Sequence, residues 1–123
     1  MIAFLTDWGH DSYYVGVAKA VIREINRDVE ILDICHNIKP FSVRHAAYVI
    51  ERVIKDLPAD TVFLAVVDPG VGTSRKPVAM VLKNGMCMVG PDNGIFTLAA
   101  EGFGVHEVRD RKSTRLNSSH VAL

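Results

Sequence analysis

The chain has 123 residues, the length of one ordinary domain, and 49% of them are apolar, which is enough to build one buried core. Its 14 basic and 14 acidic residues balance and are scattered, so it lacks the basic stripe that binding to nucleic acid or to an anionic membrane requires, and a small-molecule partner is expected. The apolar opening is short and interrupted by Asp7, which excludes a signal peptide or a membrane span and predicts a cytoplasmic protein.

The first half of the chain predicts two strands that alternate with two amphipathic helices. Residues 2–6 form a buried strand, which a polar loop at 7–12 follows. The next helix is expected to pack on a sheet through Tyr14, Val17, Ala18, Val21, Ile22 and Ile25. Residues 30–34 form the second strand. Ser42 caps the second helix, whose apolar stripe is Val43, Ala46, Ala47, Ile50, Val53, Ile54 and Leu57.

The second half of the chain predicts more strands. The run TVFLAVV at 61–67 suits the central strand of a parallel sheet covered on both faces. Two strands then flank Asn84-Gly85, a strong hairpin signal, and a short helix from about Ile95 and a strand at 105–108 follow. This order predicts an α/β fold, a Rossmann-like layered sheet flanked by helices, with right-handed crossovers.

The composition changes once, near residue 110. The segment DRKSTRLNSSHVAL is polar and aperiodic, which predicts no packed element at 110–123. It is either a natural tail without packed structure or a non-native one, because residues 110–120 resemble the conceptual translation of a sequencing-library adapter. We favour the second interpretation, so the α/β domain is expected to span 1–109 and the natural sequence after Arg109 to be missing.

Cys35 and Cys87 are the only cysteines, and each has apolar neighbours. They are expected to be free, mostly buried thiols in a reducing compartment. A zinc site at Cys35, His36 and His45 is the alternative. Adjacent ligands on an extended chain point to opposite faces, and no second ligand pair completes a set of four, so no metal is expected.

Three polar loops follow predicted strands, at 7–12, 68–75 and 91–94. Ligands of α/β sheets bind beyond the carboxyl ends of the strands, so these loops are expected to converge on one site. Asp7 can accept hydrogen bonds from a ribose diol, or it can cap the next helix. Gly70 and Gly72 suggest a backbone that passes close to a ligand, although neither common phosphate-loop signature is present.

Four motifs occur together in this order: TDWG, YVGVAKAVI, VVDPGVGT followed by Arg75, and GPDNGIFT. In sequence and spacing the chain resembles the S-adenosylmethionine hydroxide adenosyltransferase family, also called S-adenosylmethionine hydrolases, to which fluorinases and chlorinases are similar. The resemblance implies an α/β domain followed by a small β-barrel, assembled as a homotrimer. Each active site lies between the first domain of one subunit and the second domain of a neighbour.

The resemblance implies that water attacks the ribose C5′ carbon of S-adenosylmethionine, which is a substrate, and that no cofactor takes part. A sulfonium leaves as a neutral thioether, so the difficulty is that water is a poor nucleophile. Asp68 and Arg75 match the family's catalytic carboxylate and guanidinium. The family's third partner is a histidine further along, and this sequence departs from the family at residue 110, before that motif.

The resemblance also implies substrate contacts at Asp7, Asp11, Tyr14, Phe41 and Asn93. Family members often carry an aspartate where this chain has Ser12. An ordinary core residue is the alternative at Phe41. The other histidines are expected at the surface, namely His10, His36 and His45 on loops or helices and His106 in an edge strand.

Three functions remain open at this point: a hydrolase that releases adenosine, a halogenase of the same superfamily, and a nucleoside-binding module without catalysis. Asp68 and Arg75 favour the hydrolase, because a halide needs desolvation rather than deprotonation, and the halogenases have a tyrosine and a residue other than arginine at these places. The chain as given is expected to be an inactive fragment, because it lacks the third catalytic residue and the barrel.

Overall fold

The computed structural model describes residues 1–68 and 77–110. The strands are β1 (Ile2–Thr6), β2 (Ile31–Cys35), β3 (Val62–Val66), β4 (Pro77–Leu82), β5 (Cys87–Pro91) and β6 (Val105–Asp110). The helices are α1 (Tyr14–Ile25), α2 (Val43–Ile54) and α3 (Thr97–Phe103). None of the helices in these two ranges is long and apolar enough to cross a membrane. Gly70, Gly72, Arg75 and the tail from residue 111 lie outside the described residues.

The six strands form one mixed sheet in the order β2-β1-β3-β5-β4-β6. The first four strands in this order are parallel, whereas β4 runs antiparallel to both β5 and β6. The predicted α/β fold is confirmed, and so is the hairpin, whose turn contains Gly85 at φ +99°. β6 is an edge strand, as predicted for His106, and it ends at Asp110.

The main core lies between one face of the sheet and the helices α2 and α3. The predicted cap is confirmed, since the Ser42 hydroxyl accepts a hydrogen bond from the amide of His45 at 3.1 Å. The stripe of α2 also faces the core as predicted, with four side chains buried: Ala46, Ala47, Ile50 and Ile54. In β3 burial alternates along the strand. The prediction of a central strand with parallel neighbours is confirmed, and of its two faces one is fully buried and the other half-buried.

The apolar stripe predicted for α1 is mostly exposed. The helix forms where expected, but none of its residues is buried. The large side chains of the stripe are 53 to 85% exposed, namely Tyr14, Val17, Val21 and Ile25. Ala18 and Ile22 of the stripe are half-buried, on the side of the helix where the Lys19 ammonium lies 2.5 Å from the Asp33 carboxylate of β2. A helical apolar period thus predicts the helix correctly, but it does not identify the surface that the stripe covers.

Candidate functional site

The order in which strands are added to the sheet reverses at β1, so that β2 and β3 lie on opposite sides of it. The chain passes from β1 to β2 on one side and then returns through α2 to β3 on the other side of β1. In parallel α/β sheets, the crevice beyond the carboxyl ends of two such strands is the usual ligand site. Asp7 directly follows β1, and Asp68 follows β3. The register between these strands is in step from Ile2 to Thr6, so both carboxylates leave the sheet at the same edge.

Asn93 joins this edge from the next strand, because β5 is parallel to β3 and ends at Pro91. Its side-chain amide donates a hydrogen bond to the carbonyl oxygen of Val67 at 3.0 Å, and its amide oxygen accepts one from the backbone of Ile95 at 3.1 Å. Asn93 therefore ties the loop after β5 to the residue that precedes Asp68. The prediction that Asp7, Asp68 and Asn93 lie at one edge of the sheet is confirmed, whereas their sharing of one cleft stays a prediction.

A cavity of about 270 Å³ opens beside this loop. The described residues that line it are Val78, Met80 and residues 91–97. Asp68 is half-buried, and it interacts with other groups of the chain. Asp7 is not among the described lining residues of the cavity, so it belongs to a neighbouring part of the edge, next to the loop after β2.

Asp7 is held by that loop. Its Oδ2 atom accepts a hydrogen bond from the backbone amide of Phe41 at 2.6 Å. Helix α1 begins only at Tyr14, whose amide bonds to Ser12 at 3.1 Å, so the alternative that Asp7 caps this helix is wrong. An ionised carboxylate has about four lone-pair sites. Asp7 can therefore accept further hydrogen bonds, such as those of a diol, while it keeps the one from Phe41.

Phe41 adopts an uncommon backbone conformation with φ +62°. The amide of Ser42 donates to the carbonyl of Lys39 at 2.9 Å, and Pro40 precedes Phe41, as in a type II turn. Glycine is usual at this turn position, because a side chain there is strained. Phe41 is 65% exposed, so the alternative that it is a core residue is wrong for the described part of the chain. Strained residues of this kind are concentrated at functional sites.

The other two predicted substrate residues lie near the loop after β1. Asp11 is exposed in this loop, and Tyr14 is 55% exposed at the start of α1. The Tyr14 ring packs edge-on against Trp8 with 6.0 Å between ring centroids, and Trp8 packs edge-on against the buried Phe4 at 5.9 Å. Aromatic side chains therefore border the β1 side of the crevice.

His36 is the residue that sequence reasoning missed. It was expected at the surface, but it is only 5% exposed. Its Nδ1 lies 2.8 Å from the Thr6 hydroxyl, its Nε2 lies 2.8 Å from Asp33, and its ring packs edge-on against Phe4. The only local signal was a carboxylate three residues before the histidine. The contact with Thr6 joins residues 30 positions apart, which a local pattern does not reveal.

The partners of His36 define its tautomer. An ionised carboxylate only accepts, so Nε2 donates its hydrogen to Asp33, and in the neutral imidazole Nδ1 then accepts one from Thr6. Burial raises the pKa of the Asp33 carboxyl, but hydrogen bonds from His36 and Lys19 outweigh burial and leave the pKa below its ordinary value. Asp33 is therefore ionised at neutral pH, as this tautomer requires.

Cys35 and Cys87 are free thiols, and both are half-buried rather than mostly buried as expected. Burial raises the pKa of the Cys87 thiol, which keeps it protonated and unreactive. Within residues 1–68 and 77–110, no three histidine, cysteine or acidic side chains lie close enough to hold a metal ion.

The fold and this edge define an α/β protein with a candidate small-molecule site at a topological switch point, bordered by carboxylates and aromatic rings. The family described as the SAM hydroxide adenosyltransferase N-terminal domain matches residues 2–122, and the chain belongs to this family. The resemblance predicted from the four motifs is therefore confirmed.

The proteins with similar sequences are named either as hydrolases or as fluorinases. The chain is 41% identical over 112 residues to an (R)-S-adenosyl-L-methionine hydrolase of Methanocaldococcus jannaschii, which covers 88% of this chain and 42% of that protein. It is 45% identical to an (R)-S-adenosyl-L-methionine hydrolase of Thermus thermophilus, in an alignment that covers 80% of this chain and 38% of that protein. A fluorinase of Actinopolyspora mzabensis is 26% identical, covering 93% and 46%. The chain thus spans about two fifths of the length of these hydrolases.

Solved structures agree with the fold. An uncharacterized conserved protein from Thermotoga maritima superposes with a TM-score of 0.90 at 55% sequence identity, covering 94% of this chain and 45% of that one. A conserved hypothetical protein from Thermus thermophilus gives a TM-score of 0.82 at 37% identity, covering 96% and 49%. Both similarities cover nearly all of this chain.

Proposed function

We propose that this domain, within a full-length protein, binds S-adenosylmethionine and hydrolyses it to adenosine and methionine. By full-length protein we mean residues 1–109 continued by a carboxyl-terminal part of the length that the relatives have. The observation that carries the proposal is that Asp7, Asp68 and Asn93 follow the carboxyl ends of β1, β3 and β5 at one edge of the sheet. The hydrolases named above support the choice of substrate.

The reaction is a displacement at the ribose C5′ carbon. The water oxygen forms a bond to C5′ while the bond from C5′ to the sulfonium breaks, and its electron pair stays on sulfur. Methionine therefore leaves as a neutral thioether and needs no general acid. The proton of the attacking water passes to the Asp68 carboxylate, and Arg75 stabilises that carboxylate and the developing hydroxide. No cofactor takes part in this scheme.

The substrate is held by the residues around the crevice. Asp7 accepts hydrogen bonds from the ribose diol with the lone pairs that Phe41 leaves unused. The exposed rings of Phe41 and Tyr14 cover the sugar and the carbon that reacts. Asn93 orients the substrate from the β5 side, and Asp11 attracts the methionine ammonium.

The full-length protein is proposed to be a homotrimer in the cytoplasm. The exposed apolar stripe of α1, described above, supports assembly, because isolated domains rarely leave such a stripe uncovered. The two free cysteines support a reducing compartment. Size-exclusion chromatography with light scattering of the full-length protein tests the trimer.

The test of function is incubation of the full-length protein with S-adenosylmethionine, followed by chromatography of the products. Equimolar adenosine and methionine support the proposal. A 5′-halo-5′-deoxyadenosine formed only with added chloride or fluoride would instead identify a halogenase. Binding without any product would leave a nucleoside-binding module and contradict the hydrolase.

Asp7→Asn in the full-length protein is expected to weaken adenosine binding about ten- to a hundredfold, because a hydrogen bond to a charged group is typically worth about 1.5 to 3 kcal/mol. Asparagine keeps one oxygen for the Phe41 amide but presents a donor in place of the second oxygen. Isothermal titration calorimetry measures the effect. The control is Asp28→Asn, since Asp28 is exposed before β2, at the opposite end of the sheet. Equal loss in both variants would refute the role of Asp7.

A further inference from the structure

The loop after β1 is joined to the loop after β2 by contacts on both sides of Asp7. The Thr6 hydroxyl forms a hydrogen bond with His36 Nδ1 at 2.8 Å, and it also accepts a hydrogen bond from the Trp8 amide at 3.2 Å. The Gly9 amide donates to the His36 carbonyl at 2.7 Å. One buried residue therefore fixes the backbone before and after the carboxylate that is proposed to bind ribose.

The direction of these hydrogen bonds depends on Asp33. Since Asp33 accepts the Nε2 hydrogen, the Nδ1 lone pair faces Thr6 and receives its hydroxyl hydrogen. The Thr6 oxygen is then left with lone pairs for the Trp8 amide. Lys19 in α1 holds Asp33 from the other side at 2.5 Å. A continuous series of polar contacts thus runs from the surface of α1 to the backbone beside Asp7.

We propose that His36 is a positioning residue, which acts through the Thr6 hydroxyl to hold Asp7 in the geometry that binds the ribose diol. This inference rests on the proposed function only in the identity of the ligand. His36 does not touch the substrate in this scheme. It controls the affinity for ligands that carry the diol, through the acceptor at Nδ1.

Asparagine and glutamine separate the two sides of the imidazole. The oxygen of an asparagine lies near the place of Nδ1. His36→Asn therefore keeps an acceptor for the Thr6 hydroxyl but loses the hydrogen bond to Asp33. A glutamine amide reaches the place of Nε2, so His36→Gln keeps the Asp33 contact but leaves the Thr6 hydroxyl without its acceptor. Both variants lose the ring contact with Phe4, so this loss does not distinguish them.

The first measurement uses the 123-residue chain and needs no ligand. Trp8 is the only tryptophan of the chain, and it follows Asp7 directly. In His36→Gln we expect a red shift of Trp8 emission and faster quenching by acrylamide, whereas His36→Asn stays close to the wild type. His106→Gln is the control, because His106 is exposed in β6. Equal spectra for the asparagine and glutamine variants would overturn the proposal.

The second measurement uses the full-length protein with adenosine and with 2′,3′-dideoxyadenosine. His36→Gln is expected to weaken adenosine binding about tenfold, the effect of one lost hydrogen bond, and to leave the dideoxy analogue unaffected. A loss of equal size for both ligands would show a merely structural role. If the wild type binds no adenosine, the proposed function fails, and the Trp8 measurement still decides the positioning role.

A second pair of variants applies if the His36 variants do not fold, which far-ultraviolet circular dichroism detects. Thr6→Val removes the hydroxyl at nearly constant volume, and Thr6→Ser retains it. The valine variant should show the Trp8 shift and the selective loss of adenosine binding, and the serine variant should show neither. A valine variant that behaves like the wild type would overturn the proposal.

Discussion

Asp68→Asn in the full-length protein is expected to slow hydrolysis of S-adenosylmethionine by about a hundred- to ten-thousandfold, the usual contribution of a general base. Asparagine has nearly the shape of aspartate but does not take up the proton of the attacking water. Because this proton moves only in the transition state, kcat should fall much more than KM changes. Chromatography of adenosine and methionine at several substrate concentrations measures both constants.

The control for this variant lies at the other end of the same strand. Asp60 is exposed just before β3, whereas Asp68 follows the strand at its carboxyl end. Asp60→Asn should therefore keep the wild-type rate. Arg75→Lys should resemble Asp68→Asn in direction, because one ammonium does not reproduce the planar two-point contact of a guanidinium with a carboxylate. An Asp68→Asn enzyme with an unimpaired rate would rule out the mechanism.

The elements that define the site could be predicted from sequence because their signals are local. An apolar run that ends in an aspartate, and a Gly-Pro-Asp-Asn-Gly loop after a hairpin, each indicate a strand and the loop beyond it. Parallel pairing then brings the carboxyl ends of the strands to one edge. The convergence of Asp7, Asp68 and Asn93 follows from strand order alone and needs no knowledge of side-chain contacts.

The burial of His36 and the exposure of α1 could not be predicted in this way. Polar neighbours place His36 in a loop, but its burial depends on Thr6 and Phe4, which belong to another strand. The apolar period of α1 indicates one apolar face but not its partner, and here only Ala18 and Ile22 of that face are half-buried, beside Lys19. Both features depend on tertiary contacts, whose energies exceed local preferences.

The backbone conformation of Phe41 shows the same limit on a smaller scale. Pro40 and the loop composition predict a turn, and the structure has one. The positive φ of a phenylalanine was not predictable, since glycine or asparagine usually takes this position. The Asp7 carboxylate accepts a hydrogen bond from the Phe41 amide and helps to hold this conformation. Asp7 belongs to a loop that is far away in sequence.

Gly90→Ala is expected to destabilise the 123-residue chain by about 1 to 3 kcal/mol, the usual cost of overpacking a core. A Cβ atom at Gly90 would lie 2.7 Å from the Ala65 carbonyl oxygen and 2.9 Å from the Phe96 ring. The carbonyl belongs to β3 and the ring is buried, so neither can move away without disturbing the sheet. Urea unfolding followed by circular dichroism measures the free energy of unfolding.

Gly102→Ala is the matched control for this substitution. Gly102 lies in α3, and a Cβ atom there would meet nothing within 4 Å. Alanine favours the helix by up to about 1 kcal/mol relative to glycine, so this variant should be as stable as the wild type or more stable. Gly90 lies in β5, three residues before Asn93, and Ala65 lies two residues before Val67, the partner of Asn93. A shift forced at Gly90 should therefore weaken adenosine binding in the full-length protein as well.

A Gly90→Ala chain that is as stable as the Gly102→Ala chain would contradict the prediction. It would show that β3 and β5 are not packed as closely as described. The link between Asn93 and the strand that leads to Asp68 would then lose its structural basis.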